Sequence, residues 1–149
     1  MLVREIMSAP IVTVPAEASV REATARMLED DIGSVLVAPE DDPEDALDAT
    51  PTGILTETDA LTAACRTDEP LSKLPVTDAA SRPLVTTDPQ RTVKHALETM
   101  IEQRITHLVV ADDLDLVGMV TLTDVAVHHD EIRDEAITYA EETLSGSVQ

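Results

Sequence analysis

Aromatic residues are almost missing from this chain. It has no Phe and no Trp, and Tyr139 is its only tyrosine. Any core must therefore be built from Val, Leu, Ile, Ala and Met. Cysteine is represented once, by Cys65, which excludes an internal disulfide and a cysteine-based zinc cluster. Its setting, LTAACR, suggests a small buried apolar residue. Positive charge is scarce. Ten Lys and Arg, only two of them lysines (Lys73 and Lys94), face 30 Asp and Glu, for a net charge of −20. Such a field repels nucleic acid and anionic membranes, so neither is expected as a partner. No run of about 20 apolar residues is present to span a bilayer. The leading MLVREIMSAPIV lacks the apolar stretch of a signal peptide, which leaves a cytoplasmic location as the expectation.

Disorder is a second reading of high charge with few aromatics. Against it, 43% of the residues are hydrophobic and they fall in ordered runs. A folded protein with an acidic surface fits better. Acidity, few lysines and small aliphatic residues together resemble proteins of salt-loving microbes, where the Debye length shrinks to roughly 3 Å at 1 M salt.

Only four glycines are present, yet two of them open the same phrase: GILTETD at 53–59 and GMVTLTD at 118–124. The duplication extends further. With a shift of 73 residues, VREIMSAPIVTV (3–14) falls on VTDAASRPLVTT (76–87), and SVREATARMLEDDIGSVLV (19–37) falls on TVKHALETMIEQRITHLVV (92–110). Val3/Val76, Ser8/Ser81, Pro10/Pro83, Val12/Val85, Ala23/Ala96, Met27/Met100 and Ile32/Ile105 are among the identities. The phrases align at a shift of 65, so the first repeat carries eight more residues (73 − 65), within the acidic APEDDPEDALDATPT. Self-similarity of this kind sets the architecture before any single element does.

Each repeat reads alike. A strand after the proline (IVTV, LVTT) leads to a helix with Ser19 or Thr92 at its N-cap. Apolar residues at helical spacing follow: Val20, Ala23, Met27 and Leu28 in one, Val93, Leu97, Met100 and Ile101 in the other. Two apolar strands come next, the second pair joined by the turn DDLD, and a closing helix starts at the TD of the phrase. The fold class is α+β, two β-α-β-β-α repeats. The expected boundaries are 1–66 for repeat 1, 67–75 for a linker, 76–130 for repeat 2 and 131–149 for an acidic tail with helical potential.

Two such repeats, each closing on Gly-apolar-apolar-Thr-x-Thr-Asp, resemble a tandem pair of cystathionine-β-synthase (CBS) domains, the Bateman module. The resemblance spans residues 3 to about 130. It implies two repeats packed through their sheets with pseudo-twofold symmetry, and a regulatory rather than catalytic role. It also implies clefts that bind AMP, ADP, ATP or S-adenosylmethionine, a disc-shaped homodimer, and a separate effector protein. In the resembled family, a cleft takes its Asp and Thr from one repeat and much of its base pocket from the other. Carried over, one cleft combines Thr121, Thr123 and Asp124 with Met7, Val12 and Ile32. The other combines Thr56, Thr58 and Asp59 with Ala80, Val85 and Ile105. Backbone near Pro10–Val12 and Pro83–Val85 would read the base edge.

The chemistry suits these residue types. An ionised Asp accepts strong hydrogen bonds from the two hydroxyls of a ribose. Threonine hydroxyls and free N–H groups at a helix start can meet phosphate. The same residues also serve simply as helix caps, and the apolar ones as core. His107 stands where the family often has a basic residue facing phosphate, opposite Ser34 in repeat 1, so the cleft near His107 is expected to suit a phosphate better. A neutral imidazole would hold a triphosphate weakly. His128 and His129 point about 100° apart on a helix and do not form a metal pair. No nucleophile with a base, no metal-ligand cluster and no phosphate-cradling glycine loop argues for an enzyme. The rival to a ligand sensor is a ligand-independent dimerisation or docking scaffold.

Overall fold

A computed structural model describes residues 1–9, 11–39 and 50–147. Pro10 and most of the acidic insertion of repeat 1 fall outside the described residues. In chain order the elements are α1 (Val3–Ile6), β1 (Thr13–Val14), α2 (Val20–Asp30), β2 (Ser34–Val37), β3 (Gly53–Thr56) and α3 (Glu57–Thr67). The second half repeats them as α4 (Val76–Ala79), β4 (Thr86–Thr87), α5 (Val93–Gln103), β5 (His107–Asp112), β6 (Asp115–Thr121) and α6 (Leu122–Val127). A final helix, α7 (His129–Ser147), closes the chain. A 3₁₀ turn at Leu71–Lys73 lies in the connection.

Two three-stranded sheets result, β1-β2-β3 and β4-β5-β6, each with a parallel and an antiparallel pair. Their registers match under the sequence repeat. Thr13 pairs with Leu36 as Thr86 pairs with Val109, and Ser34 pairs with Thr56 as His107 pairs with Thr121. The expected strands IVTV and LVTT shrink to two residues each, Thr13–Val14 and Thr86–Thr87. Asp113 and Leu114 form the two-residue turn within DDLD, with Asp113 at φ 54°. Ser19 and Thr92 cap α2 and α5 through their side-chain oxygens, as expected.

The packed units do not follow the sequence boundaries. Val3 and Ile6 of α1 are buried with Val93, Met100, Leu108 and Val120 in the core of repeat 2. Val76 of α4 is buried with Val14, Val20, Met27 and Leu55 in the core of repeat 1. Backbone bonds hold this exchange: Val3 N–H to Arg91 O at 2.8 Å and Val76 N–H to Ala18 O at 2.9 Å. Each short helix thus ties its own repeat to the other. Between the two sheets, Leu36, Ile54, Val109 and Met119 form a third cluster, flanked by Ile11 and Leu84. Leu36 and Val109 are repeat counterparts, as are Ile54 with Met119 and Ile11 with Leu84, so the contact is pseudo-symmetric. Fully burying one such aliphatic side chain stabilises by about 1.5–3 kcal/mol.

Two expectations about individual residues are corrected. Leu28 and Ile101 are exposed (84% and 66%), because the buried face of each 11-residue helix is narrow: Val20, Ala23, Met27 and Val93, Ala96, Met100. Cys65 is exposed as well, since α3 turns Ala60, not Cys65, into the core. The tail is helical, but the break falls at His128, before the expected boundary at 130. Ile132 packs α7 against the repeat 2 core, and the Met1 amino group pairs with Glu135. Among the described residues, no helix is long and apolar enough to cross a membrane.

Candidate functional site

The phrase GMVTLTD places its parts by simple geometry. Gly118 lies on β6 where residues 7 and 8 cross it. A Cβ there would stand 2.9 Å from the Ser8 carbonyl oxygen and 3.0 Å from Met7 Sδ. The missing side chain lets Ser8 and Met119 exchange two backbone bonds, at 2.8 and 2.9 Å. Val120 then points into the core, and Thr121 ends the strand as the N-cap of α6.

Thr121 and Asp124 form a reciprocal capping box. Asp124 N–H donates to Thr121 Oγ1 (3.2 Å), and Thr121 N–H donates to Asp124 Oδ2 (2.9 Å). Thr56 and Asp59 do the same in repeat 1, at 3.2 and 3.0 Å. Both Asp residues therefore sit at the third helical position, and the helices begin at Leu122 and Glu57, one residue before the TD. The difference lies in the second carboxylate oxygen. Ser81 Oγ donates to Asp59 Oδ1 at 3.0 Å. Among the described residues, Asp124 Oδ1 receives no such bond, although Ser8, the counterpart of Ser81, is nearby.

A cleft of about 510 Å³ opens beside Asp124. Thr121, Thr123, Asp124 and His107 from repeat 2 line it, together with Val12 and Ile32 from repeat 1. This size is within the usual range for small-molecule sites. Met7, expected with them, is not at the wall. It packs behind β6 against the repeat 2 core, next to Gly118. Among the described residues, those expected for the second cleft are divided between the two cores and a smaller cavity. Ala80 packs on the repeat 1 core, and Val85 and Ile105 on that of repeat 2. Thr56 is committed to its cap and Thr58 is exposed. Asp59 edges a smaller cavity of about 330 Å³ between α3 and α4, with Thr62, Arg66 and Asp78, and no other expected site residue lines it.

Sequence reasoning missed several wall residues. Ser8, Asp31, Gly33, Glu57 and Thr106 line the larger cleft. Glu57 occupies the variable position of GILTETD, so only its place across the pseudo-axis reveals it. Gly33 is a clearer signal, one of four glycines. A Cβ there would stand 2.9 Å from His107 Nε2 and 3.4 Å from Glu57 Oε1, so the imidazole occupies the space of that missing side chain. Thr106 Oγ1 is 3.0 Å from His107 Nδ1. Burial lowers the His107 pKa below the ordinary imidazole value, against Glu57, Asp124 and Asp59, which act to raise it. The ring is thus neutral at pH 7 and faces carboxylates, which runs against the expected preference for phosphate at His107. His128 Nδ1 lies 2.9 Å from the Asp124 carbonyl oxygen. Among the described residues, no group of three His, Cys, Asp or Glu could hold a metal ion.

Comparison with known proteins agrees with this architecture. The CBS domain model matches residues 3–66 and 76–129. An uncharacterised protein of Methanocaldococcus jannaschii is 32% identical over 119 residues, covering 80% of this chain but only 61% of that protein. The chain thus spans about three fifths of the length of this curated relative. A CBS domain protein from Pyrobaculum aerophilum, solved in complex with AMP, superposes with a TM-score of 0.76 at 23% identity, covering 92% of this chain and 99% of the other. The CBS domain pair of protein MJ0100, solved with 5′-methylthioadenosine and S-adenosyl-L-methionine, gives a TM-score of 0.75 at 23% identity over 88% and 97% of the two chains. With both repeats matched by the family model and the paired sheets reproduced in solved structures, the chain belongs to the CBS domain family.

Proposed function

We propose that this chain is a regulatory sensing module that binds an adenosine-containing ligand in the cleft between its repeats and passes the change to a separate protein. One observation carries the reading. Asp124 presents an unengaged carboxylate oxygen to a cleft of ligand size whose walls come from both repeats. That oxygen suits a ribose hydroxyl, and the aliphatic Val12 and Ile32 suit the faces of a base. The AMP, 5′-methylthioadenosine and S-adenosyl-L-methionine complexes of the structural relatives support the same class of ligand. AMP, ADP, ATP and S-adenosylmethionine are the compounds to screen.

The matched phrases supply their own control. Asp124→Ala and Asp59→Ala each remove one capping box, at a cost to folding of about 0.5–2 kcal/mol, and Asp59→Ala also removes the bond from Ser81 Oγ. Only Asp124→Ala removes the carboxylate facing the larger cleft. Calorimetry against the adenosine panel is expected to show binding by wild type and Asp59→Ala, and loss in Asp124→Ala. Equal effects of the two variants would remove Asp124 from the site.

The scaffold reading has its own support. Leu28, Leu61, Ile101 and Val127 are exposed on α2, α3, α5 and α6. These side chains are suited to an apolar contact between two copies, consistent with the homodimer that the family resemblance implies. Light scattering with and without ligand separates an assembly that depends on binding from one that does not.

A further inference from the structure

The walls of the cleft carry charge of one sign. Asp31, Glu57 and Asp124 line it, and among the described residues no lysine or arginine does. His107, the nearest candidate for a cation, has Glu57, Asp124 and Asp59 about it and is held neutral by burial.

Two of the first three backbone donors of α6 that a phosphate would use are also taken. Leu122 N–H donates to the Thr106 carbonyl at 3.2 Å, and Asp124 N–H donates to Thr121 Oγ1. Thr123 is left as the free N–H of the first three positions. With six residues, α6 adds little dipole to attract an anion. An oxyanion entering this space would lose its water and meet three carboxylates, with only neutral donors in return, the Thr123 N–H and the hydroxyls of Ser8, Ser34, Thr106, Thr121 and Thr123.

The repeat counterparts show that this is local. Asp31 corresponds to Arg104, and Glu57 corresponds to Leu122. Both acidic members of these pairs lie on the wall of the cleft, and Arg104 does not. Leu122 lies there with its partner Glu57 and is uncharged.

From this arrangement we infer that the cleft selects adenosine compounds whose 5′ substituent is neutral or cationic, such as a nucleoside, a thioether or a sulfonium, and discriminates against nucleotides bearing phosphate. The inference rests on the adenosine reading above and narrows it. Unlike charges across a binding surface set specificity, and like charges suppress the wrong partner.

Titration calorimetry at fixed ionic strength and pH 7.5, with adenosine, S-adenosylmethionine, AMP and ATP, tests it. Adenosine and S-adenosylmethionine are expected to bind more tightly than AMP by about tenfold or more, with ATP weaker still, as like charges in a shared cleft predict. In Glu57→Gln and in Asp31→Asn the gap between adenosine and AMP narrows, because each removes one repelling charge at the wall. AMP or ATP binding as tightly as adenosine to the wild type would overturn the inference and leave the adenosine reading standing. Binding by none of the four would overturn both. An unchanged gap in both variants would also refute the electrostatic cause.

Discussion

Replacing each phrase glycine by alanine tests how the two repeats differ. Neither Gly53 nor Gly118 has a positive φ, so an alanine suffers no backbone strain at either site and contact alone decides. In Gly118→Ala the new Cβ meets the Ser8 carbonyl oxygen at 2.9 Å and Met7 Sδ at 3.0 Å. Met7 can shift, but the Ser8 oxygen is backbone and holds the Met119 N–H at 2.9 Å. Overpacking of this kind costs about 1–3 kcal/mol. Weakening the paired Ser8–Met119 bonds adds about 1 kcal/mol. The stiffer unfolded chain returns about 0.4–1 kcal/mol. The net expectation is a loss of about 1–3 kcal/mol. In Gly53→Ala the nearest atoms are Arg82 Cγ at 3.3 Å, at the flexible part of a side chain, and the Ser81 oxygen at 3.4 Å. Contact cost and entropy gain then nearly cancel, within about 1 kcal/mol. Urea unfolding followed by far-UV circular dichroism reads the difference. Tyr139, exposed on α7, is a poor reporter of the core. With a slope of about 2 kcal/mol per molar urea, the midpoint of Gly118→Ala falls by about 0.5–1.5 M and that of Gly53→Ala stays close to wild type. Equal shifts, or a larger one for Gly53→Ala, would refute the close-approach argument.

Two further outcomes follow from charge. With a net −20, the melting temperature rises as KCl goes from about 0.1 to 2 M, because the Debye length drops from roughly 10 Å to below 3 Å and self-repulsion fades; a flat curve in differential scanning fluorimetry would contradict it. His107 has a folded pKa below its unfolded value, so the unfolded chain binds the proton first and stability is lost as pH falls from about 6.5 toward the folded pKa. Wild type should therefore lose more stability than His107→Gln between pH 7.5 and 5.5, as read by urea midpoints, and identical losses would show that His107 does not titrate in a buried setting.

Much of the fold was legible because duplication compares each element with its counterpart. Ser19 and Thr92 announced their helices, and the strands β2, β3, β5 and β6 stood out as apolar runs. The exchange of α1 and α4 was not legible. A four-residue helix carries too little periodicity to show its buried face, and its partners lie in the other repeat. Leu28 and Ile101 misled for a related reason, since helical spacing alone does not say how wide the buried stripe is. At the site, Thr121, Thr123, Asp124, Val12, Ile32 and His107 line one cleft. The charge of that cleft was hidden, because nothing in the sequence pattern singles out Asp31 or Glu57, which line it beside Asp124.

The pseudo-axis also explains why a repeated phrase need not produce two equal sites. The larger cleft is lined by both members of three counterpart pairs: Gly33 with Thr106, Ser34 with His107, and Glu57 with Leu122. These residues lie where the two halves meet, whereas Asp59 edges a separate cavity that shares no lining residue with the larger cleft. Local rules treat the halves alike, since both Asp residues complete the same capping box. Their inequality comes from neighbours. Ser81 binds the oxygen of Asp59 that is left open on Asp124, and His107 fills the space beside Gly33. Duplication of the backbone thus supplies two capped carboxylates, and their hydrogen bonding differs even where the counterpart residue, Ser8 for Ser81, is the same.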